Sequence, residues 1–291
     1  KKLEYRFSCQ KFKFISKKSY YIIMKISLGI SPCPNDTYIF DALINNKIDC
    51  KGYIFDTYYE DVEKLNKWSL KNKLDFTKLS YNAYINNFND YVLLDSGSAL
   101  GYGCGPLVIK LPTKKLNEES IIAVPGKYTT ANMLFNLAFP RFKNKEEICF
   151  DQIENSILSG KVDAGVVIHE NRFTYQNKGL VKVIDLGEFW HQKTNLPIPL
   201  GGIVAKRSLP QEVICDIEKL IRESIEYANQ NTTFPNKYIL SHASETDLDV
   251  IKSHINLYVN DFSISLGNTG RKSVEKLFNE FRIFNDEIFF K

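Results

Sequence analysis

The sequence predicts an α/β protein of two lobes, and three observations carry this prediction. From Met24 onward, short apolar strands alternate with amphipathic helices, which is typical of parallel sheets with helices on both faces. A second series of strands and helices begins near residue 113. After Pro210 the chain turns helical and has no further strands, so we expect this tail to pack back on the first lobe.

The first series opens with a strand at 25–30, where apolar residues alternate. A turn with two prolines follows it, and Asn35 or Asp36 can cap the next helix. Residues 60–73 carry apolar side chains at helical spacing, with acids at the start and lysines at the end, as the helix dipole favours. Strands are also predicted at 74–80, 91–97 and 105–110, and a helix at 81–87.

The second series begins with a strand at 120–126 and a helix that starts at Thr129 or Thr130. The next helix ends at Gly160, a favourable residue for helix termination. Strands are predicted at 162–170, 180–187 and 200–207, and tail helices at 210–230, 246–258 and 270–283. The chain would cross between lobes near 108–113 and 202–207, so that 24–110 with 206–291 forms one lobe and 111–205 the other. This is the plan of a type 2 periplasmic-binding-protein-like fold, with parallel-type sheets and a ligand in the interlobe cleft.

Composition excludes several function classes. The 291 residues are 44% hydrophobic and 25% charged, as in ordinary globular proteins. Apolar runs fall well short of the roughly twenty residues of a membrane span. Residues 1–23 hold seven of the 38 basic and one of the 34 acidic residues, which leaves a nearly neutral remainder. No basic face indicates nucleic acid, and the oligomeric state stays open.

The basic extension at 1–23 is predicted to be disordered or not native, because Met24 follows it directly and is a plausible translation start. A transit peptide is the alternative, since acidic residues are nearly absent from it. The six cysteines are scattered without a CxxC pair or a Cys/His cluster, which argues against a zinc site and against a disulfide framework. Such cysteines suit a reducing cytoplasm.

Four predicted strand ends carry small or polar residues, and ligands of open α/β sheets bind at such ends. The first strand is followed by "SPCPNDT", the strand at 74–80 ends with Lys78 and Ser80, and "GKYTTA" contains Thr129 and Thr130. Both threonines can simply cap a helix, but a capped helix start is also an anion site suited to a carboxylate. Lys78 can equally be solvated. Cys33 would need a partner histidine to act as a nucleophile, and the sequence assigns none.

The fourth strand end is "GVVIHENRFTY", where an apolar strand runs into His169 and Glu170. Taken alone, this stretch would be interpreted as a capped strand end. Because three other strand ends also carry small or polar residues, His169 is expected to face the cleft. An imidazole there suits a general base at neutral pH. Glu170 could tune His169, or could point away because neighbours on a strand alternate faces. His191, His242 and His254 lie in predicted helices and lack this setting.

These motifs give the chain a family resemblance. "SPCPNDTYIFDAL", "TKLSYNAY", "GSALGYGCGPLV", "PGKYTTA" and "VVIHENRFTYQNKGLVKVIDLGEFW" resemble, in order and spacing, the 1,4-dihydroxy-6-naphthoate synthases of the futalosine route to menaquinone. The resemblance extends from Met24 to the last helix and implies the two-lobed binding-protein fold. It implies a carbon–carbon lyase that converts cyclic dehypoxanthinylfutalosine to 1,4-dihydroxy-6-naphthoate and dihydroxyacetone, without a metal or organic cofactor.

The resemblance also implies roles for residues. His169 would be the base, and the small-molecule carboxylate substrate would be bound by the other motif residues, namely Lys78, Ser80, Thr129, Thr130, Ser31, Asn35, Asp36 and Arg172. Tyr128 departs from the family pattern, in which a histidine often precedes the threonine pair. Chorismate dehydratase, of the same pathway and fold, is one alternative. A solute-binding protein without chemistry is the other, although Cys9 does not resemble a lipid-anchored cysteine.

Overall fold

The computed structural model describes residues 23–231, 235–283 and 287–291, so the predicted extension at 1–23 lies almost entirely outside the described residues. The strands are β1 (Met24–Ile30), β2 (Tyr53–Tyr59), β3 (Phe76–Ser80), β4 (Tyr91–Leu93), β5 (Ala99–Gly101), β6 (Leu107–Lys110), β7 (Ile122–Val124), β8 (Lys145–Glu147), β9 (Ala164–Val167), β10 (Val181–Asp185) and β11 (Ile198–Lys206). The helices are α1 (Pro34–Ile44), α2 (Val62–Ser69), α3 (Tyr81–Ile85), α4 (Thr130–Ala138), α5 (Ile153–Leu158), α6 (Asn171–Thr174), α7 (Leu186–Thr194), α8 (Gln211–Gln230), α9 (Lys237–His242), α10 (Leu248–Tyr258), α11 (Asp261–Ile264) and α12 (Gly267–Glu280).

Two sheets form the two lobes, which confirms the predicted α/β class. The first sheet has the order β2-β1-β3-β11-β4, with β5 also paired to β11. The second sheet has the order β10-β6-β9-β7-β8. Among the described residues, no helix is both long and apolar enough to span a membrane.

The sheets are mixed rather than purely parallel, which corrects one part of the prediction. β1 pairs in parallel with β2 and β3, and β7 pairs in parallel with β8 and β9. β11 is antiparallel to β3, and β6 is antiparallel to β9. The reason is the path of the chain: a strand that arrives from the other lobe starts at the cleft and runs away from it, whereas β3 and β9 end there.

At both predicted crossings, the chain passes from one lobe to the other one strand earlier than expected. β6 belongs to the second sheet and β11 to the first, so the chain crosses between β5 and β6 and again between β10 and β11. Both strands are continuous apolar runs, and periodicity alone does not tell which sheet such a run joins. The strand β2 was missed, because it is only partly buried along its length and has no clean apolar alternation.

Helix starts follow local chemistry. α1 begins at Pro34 with Cys33 as its N-cap, so the prediction that Asn35 or Asp36 caps it is wrong. Proline at the first helical position needs no amide donor, and this moves the start forward. Thr129 does cap α4, where its hydroxyl accepts the amide N–H of Asn132 at 3.2 Å.

The C-terminal helices pack on the first lobe, as predicted. α8, α9 and α10 all contact α1. α12 contacts β11, and its Phe278 ring meets the Tyr84 ring of α3 edge-on at 5.7 Å. A single apolar cluster includes buried residues of both sheets together with α12, so the floor of the cleft is continuous packed core.

Candidate active site

A cavity lies between the two lobes, and small-molecule sites are often found at such interfaces. It is lined by the ends of β1, β3 and β9 and by the starts of α1 and α4, as expected from the predicted strand ends. Eight of the nine predicted site residues line it, namely Ser31, Asn35, Asp36, Lys78, Ser80, Thr129, Thr130 and His169. Other residues in the wall include Cys104, Ile168, Leu200, His254 and Tyr258.

Asp36 is the centre of the polar wall in the first lobe. Its carboxylate accepts the amide N–H of Ser31 at 3.1 Å and the Ser31 hydroxyl at 2.8 Å. The Asn35 side-chain amide donates to it at 2.9 Å, and the Lys78 ammonium does so at 2.9 Å. These four donors satisfy a carboxylate that is only 1% exposed. Asp36 therefore holds three neighbouring side chains at the cavity wall.

Lys78 is not a solvated lysine, since only 6% of its surface is exposed. Besides Asp36, its ammonium donates to the Gly97 carbonyl oxygen at 3.4 Å. An ammonium has three donors, so one N–H of Lys78 has no acceptor among the described residues and can serve a ligand. Its positive charge is balanced by Asp36, and the pair as a whole adds no net charge to the cavity.

Ser80 at the end of β3 is held by one asparagine of α2. The Asn66 side-chain amide donates to the Ser80 hydroxyl oxygen at 3.1 Å, and the Asn66 amide oxygen accepts the Ser80 backbone N–H at 3.0 Å. With its oxygen occupied as an acceptor, the Ser80 hydroxyl keeps its proton for donation to a ligand.

The threonine pair acts differently from the predicted pair of hydroxyls. The Thr129 hydroxyl donates to the Gly126 carbonyl at 2.8 Å while it caps α4. The Thr130 hydroxyl donates to the Leu200 carbonyl of β11 at 2.5 Å. Both hydroxyl protons are thus used inside the protein. The backbone N–H groups of Thr130 and Ala131 have no acceptor in the described part of the chain, which leaves them free to donate to an anion at the α4 N-terminus.

His169 has left-handed backbone, with φ of 56°, which few residues other than glycine and asparagine adopt readily. Its ring is half-buried and packs edge-on against Phe150 at 5.0 Å. Its Nδ1 lies 3.3 Å from the Cys33 sulfur, within hydrogen-bond distance. The structure thus supplies the partner histidine of Cys33 that the sequence could not assign. Burial raises the pKa of the Cys33 thiol well above its usual value, and the charge of Glu170 adds to this.

His254 of α10 was not predicted as a site residue. It is fully buried and its ring lies parallel to that of His169, with centroids 6.1 Å apart. Its Nε2 is 3.0 Å from the Asn35 amide oxygen, and since Asn35 donates its N–H₂ to Asp36, we assign the His254 proton to Nε2. Burial and the neighbouring His169 lower the pKa of His254 well below its usual value.

A sequence signal for His254 did exist. Ile251, His254, Ile255 and Tyr258 recur at helical spacing, and all four are buried in the structure. A histidine within an otherwise apolar buried stripe is more often a structural residue than a ligand contact, which is why the signal is weak. Here the stripe faces α1 and the cavity wall.

Glu170 points into the protein next to His169. It is 5% exposed, and neither carboxylate oxygen has a hydrogen-bond donor among the described residues. Its Oε1 lies 3.7 Å from Nδ1 of His254, which is itself unpartnered in the described structure. The left-handed backbone at His169 breaks the strand alternation, so the two neighbours do not point to opposite faces.

Arg172 is the one predicted site residue that does not line the cavity, and its ligand contact stays a prediction. Its guanidinium donates to the carbonyl oxygens of Gly103 at 2.8 Å and of Gly105, and it pairs with Asp185 at 3.1 Å. All five guanidinium donors lie in one plane, and this fork suits a carboxylate and two carbonyls at once. Arg172 therefore joins α6 to the first crossing segment and to the end of β10.

Tyr128, the departure from the family pattern, is outside the cavity lining. Its backbone N–H donates to the Glu63 carboxylate of α2 at 3.1 Å and 3.2 Å. The contact joins the second lobe to the first beside the cavity. Burial raises the pKa of the Glu63 carboxyl, an effect that hydrogen bonds from Asn66 and Tyr128 oppose.

Comparison with known proteins agrees with this geometry. Residues 26–282 match the family model described as menaquinone biosynthesis. The chain is 42% identical over 255 residues to the 1,4-dihydroxy-6-naphthoate synthase of Thermus thermophilus, covering 88% of this chain and 93% of that protein. It is 38% identical over 257 residues to the synthase of Streptomyces coelicolor, covering 87% and 91%.

Solved structures support the fold. A protein of Archaeoglobus fulgidus superposes with a TM-score of 0.83 at 32% identity, covering 88% of this chain and 96% of that chain. The alkanesulfonate-binding protein of Xanthomonas axonopodis gives a TM-score of 0.65 at 9% identity, covering 91% and 96%, which shows the periplasmic-binding-protein fold alone. With the family match, the two named synthases and this fold together, the chain belongs to the menaquinone biosynthesis family as a lyase of the 1,4-dihydroxy-6-naphthoate synthase type.

Proposed function

We propose that the protein cleaves cyclic dehypoxanthinylfutalosine to 1,4-dihydroxy-6-naphthoate and dihydroxyacetone, with His169 as the general base. The observation that carries this proposal is the position of His169. It follows β9 directly and lines a cavity between two lobes, in a chain 42% identical to a named synthase. The metal-free and cofactor-free chemistry expected from the resemblance needs only a base, an anchored substrate and a cleft.

The substrate carboxylate fits the N-terminus of α4. The free N–H groups of Thr130 and Ala131 and the partial positive charge of the helix end favour an anion there. Because the Lys78 charge is balanced by Asp36 at 2.9 Å, the helix end rather than a net positive cavity supplies the attraction. The Ser80 hydroxyl and the remaining N–H of Lys78 would orient neutral oxygens of the substrate.

The base starts the cleavage. Neutral His169 takes the proton of a substrate hydroxyl, the oxygen forms a carbonyl, and the adjacent carbon–carbon bond breaks. The electron pair of that bond enters the ring system, which becomes aromatic as a naphtholate. The imidazolium then returns the proton to the naphtholate oxygen, which regenerates the neutral base. A positioned general base is worth about 10²–10⁴-fold in rate.

The test is turnover by a His169→Asn variant. Asparagine tolerates left-handed backbone better than most residues, so the φ of 56° at this position is retained without strain. We expect kcat to fall at least about 100-fold while the compound still binds, measured by mass spectrometry of the product and by calorimetry. His191→Asn is the matched control, since His191 is exposed on α7 and outside the cavity.

Three other outcomes would contradict the proposal. Turnover by His169→Asn close to that of the parent protein would exclude the base role. Binding of the compound by a folded parent without any product would indicate a binding protein. Conversion of chorismate, but not of cyclic dehypoxanthinylfutalosine, would indicate the dehydratase instead.

A further inference from the structure

Three potential metal ligands of different chemistry meet beside the cavity, and His169 is the one of them that lines it. One ligand atom each of Cys33, His169 and Glu170 lies within 4.8 Å of the other two. Cys33 comes from the turn before α1 in the first lobe, whereas His169 and Glu170 follow β9 in the second lobe. Since 136 residues separate Cys33 from His169 in the chain, their spacing could not indicate the cluster, and the scattered cysteines argued against it.

The Glu170 carboxylate is the independent sign that this cluster binds a cation. It is 95% buried and has no hydrogen-bond donor in the described chain. A buried carboxylate without donors or a paired charge is strongly destabilised. Nδ1 of His254 does not relieve this, because it lies 3.7 Å away and the proton of that ring is on Nε2, which donates to Asn35. A bound cation would supply the missing charge.

The ligand set selects the cation. Zn²⁺ accepts both the soft thiolate and the imidazole nitrogen, whereas Mg²⁺ and Ca²⁺ require mainly oxygen. Zinc bond lengths in a tetrahedral site place a thiolate sulfur and an imidazole nitrogen about 3.6 Å apart, and the separation between Cys33 and His169 is 3.3 Å. We propose that Cys33, His169 and Glu170 form a three-ligand site for Zn²⁺, with the fourth position left for a ligand from outside the protein.

Occupation of this site would inhibit the enzyme, a consequence that rests on the proposed function. A zinc–sulfur bond forms as the Cys33 S–H bond breaks, and the proton leaves to solvent. The imidazole of His169 donates its free lone pair to the metal and keeps its proton on the other nitrogen, so no lone pair remains to act as a base. Inhibition by Zn²⁺ would therefore be reversed by a chelator.

Cobalt binding tests the site without reference to turnover. The full-length, chelator-treated protein is titrated with CoCl₂, and a thiolate-to-cobalt charge-transfer band is monitored. We expect one equivalent to bind, with ZnCl₂ displacing it. In Cys33→Ser the band should disappear, and in Glu170→Gln the affinity should fall at least about tenfold. Thermal unfolding of each variant establishes that it is folded.

Two other cysteines provide matched controls. Cys104 lies buried in the cavity wall, and Cys149 is exposed, but neither belongs to the cluster. Cys104→Ser and Cys149→Ser should keep the band. Absence of cobalt binding by the parent, a band that persists in Cys33→Ser, or unchanged affinity in Glu170→Gln would overturn the site. Zinc inhibition of turnover is measured separately, so a protein without lyase activity would refute the proposed function and leave the cobalt result to decide the site.

Discussion

Loss of Lys78 should destabilise the first lobe, because it leaves the buried Asp36 carboxylate unpaired, and Lys78→Met tests this. Methionine has a similar length and no charge, so the variant keeps the packing and removes one of four donors to Asp36. The Lys78 and Asp36 side chains are only 7% and 1% exposed and lie 2.9 Å apart. Removing one partner of a buried ion pair leaves an uncompensated charge and costs about 3–5 kcal/mol.

This cost should be visible in unfolding experiments. For a protein of this size it corresponds to a fall in melting temperature of roughly 5–8 °C. The assay is urea unfolding followed by circular dichroism, with equal m-values required for a comparison of free energies of unfolding. Lys206→Met is the matched control. Lys206 pairs with Asp75 at 3.4 Å on the same sheet, but both side chains are more than 20% exposed, so about 1 kcal/mol or less is expected.

A double variant separates the charge from other effects of the substitution. Asp36→Asn removes the carboxylate charge that Lys78→Met leaves unpaired. The two substitutions together should therefore cost at least about 1 kcal/mol less than the sum of their separate costs. Two results would refute the conclusion that the Asp36 charge depends on Lys78. One is that the changes in the free energy of unfolding are strictly additive in the double variant, and the other is that Lys78→Met destabilises the protein no more than Lys206→Met does.

Three further substitutions test individual contacts by urea unfolding. Gly105→Ala would place its Cβ 2.1 Å from the Gly187 backbone nitrogen, so a cost of at least about 2 kcal/mol is expected, and a neutral effect would contradict this packing. Arg172→Met should lower the free energy of unfolding by about 3 kcal/mol, because Asp185 loses its buried partner. The affinity of the folded protein for the compound should stay unchanged, and a selective loss of affinity would support the predicted ligand contact of Arg172. Thr129→Ala should lower the free energy of unfolding by about 1 kcal/mol through loss of the α4 cap. It should also weaken binding of the compound, since the same cap positions the N–H groups proposed to bind its carboxylate, and unchanged binding would place the carboxylate elsewhere.

The location of the site could be predicted from the sequence because it depends on short-range patterns. Apolar alternation marks where a strand ends, and polar residues directly after that end must lie at the sheet edge. Lys78, Ser80 and His169 were found in this way, and all three line the cavity. The N-cap role of Thr129 was equally local, since a hydroxyl three residues before a free amide suffices to predict it.

The interactions between these strand ends were beyond the sequence. Asn35 and His254 are 219 residues apart in the chain, and no local pattern relates them. The direction of Glu170 depends on one backbone angle, the φ of 56° at His169. Its neighbour Ile168 gives no sign of such a turn, because the same apolar run would suit an ordinary strand that continues through His169.

Motif residues of this protein divide into those that face a ligand and those that hold them in place. Within the first motif, the Asp36 carboxylate accepts hydrogen bonds from Ser31, Asn35 and Lys78, so in this structure it holds these three side chains in place. Arg172 has the corresponding role in the histidine motif, where it anchors the segment after His169. A motif therefore predicts the location of a site more accurately than the role of each member. A buried side chain whose donors and acceptors all need hydrogen-bond partners is as restricted in residue type as a side chain that touches the ligand.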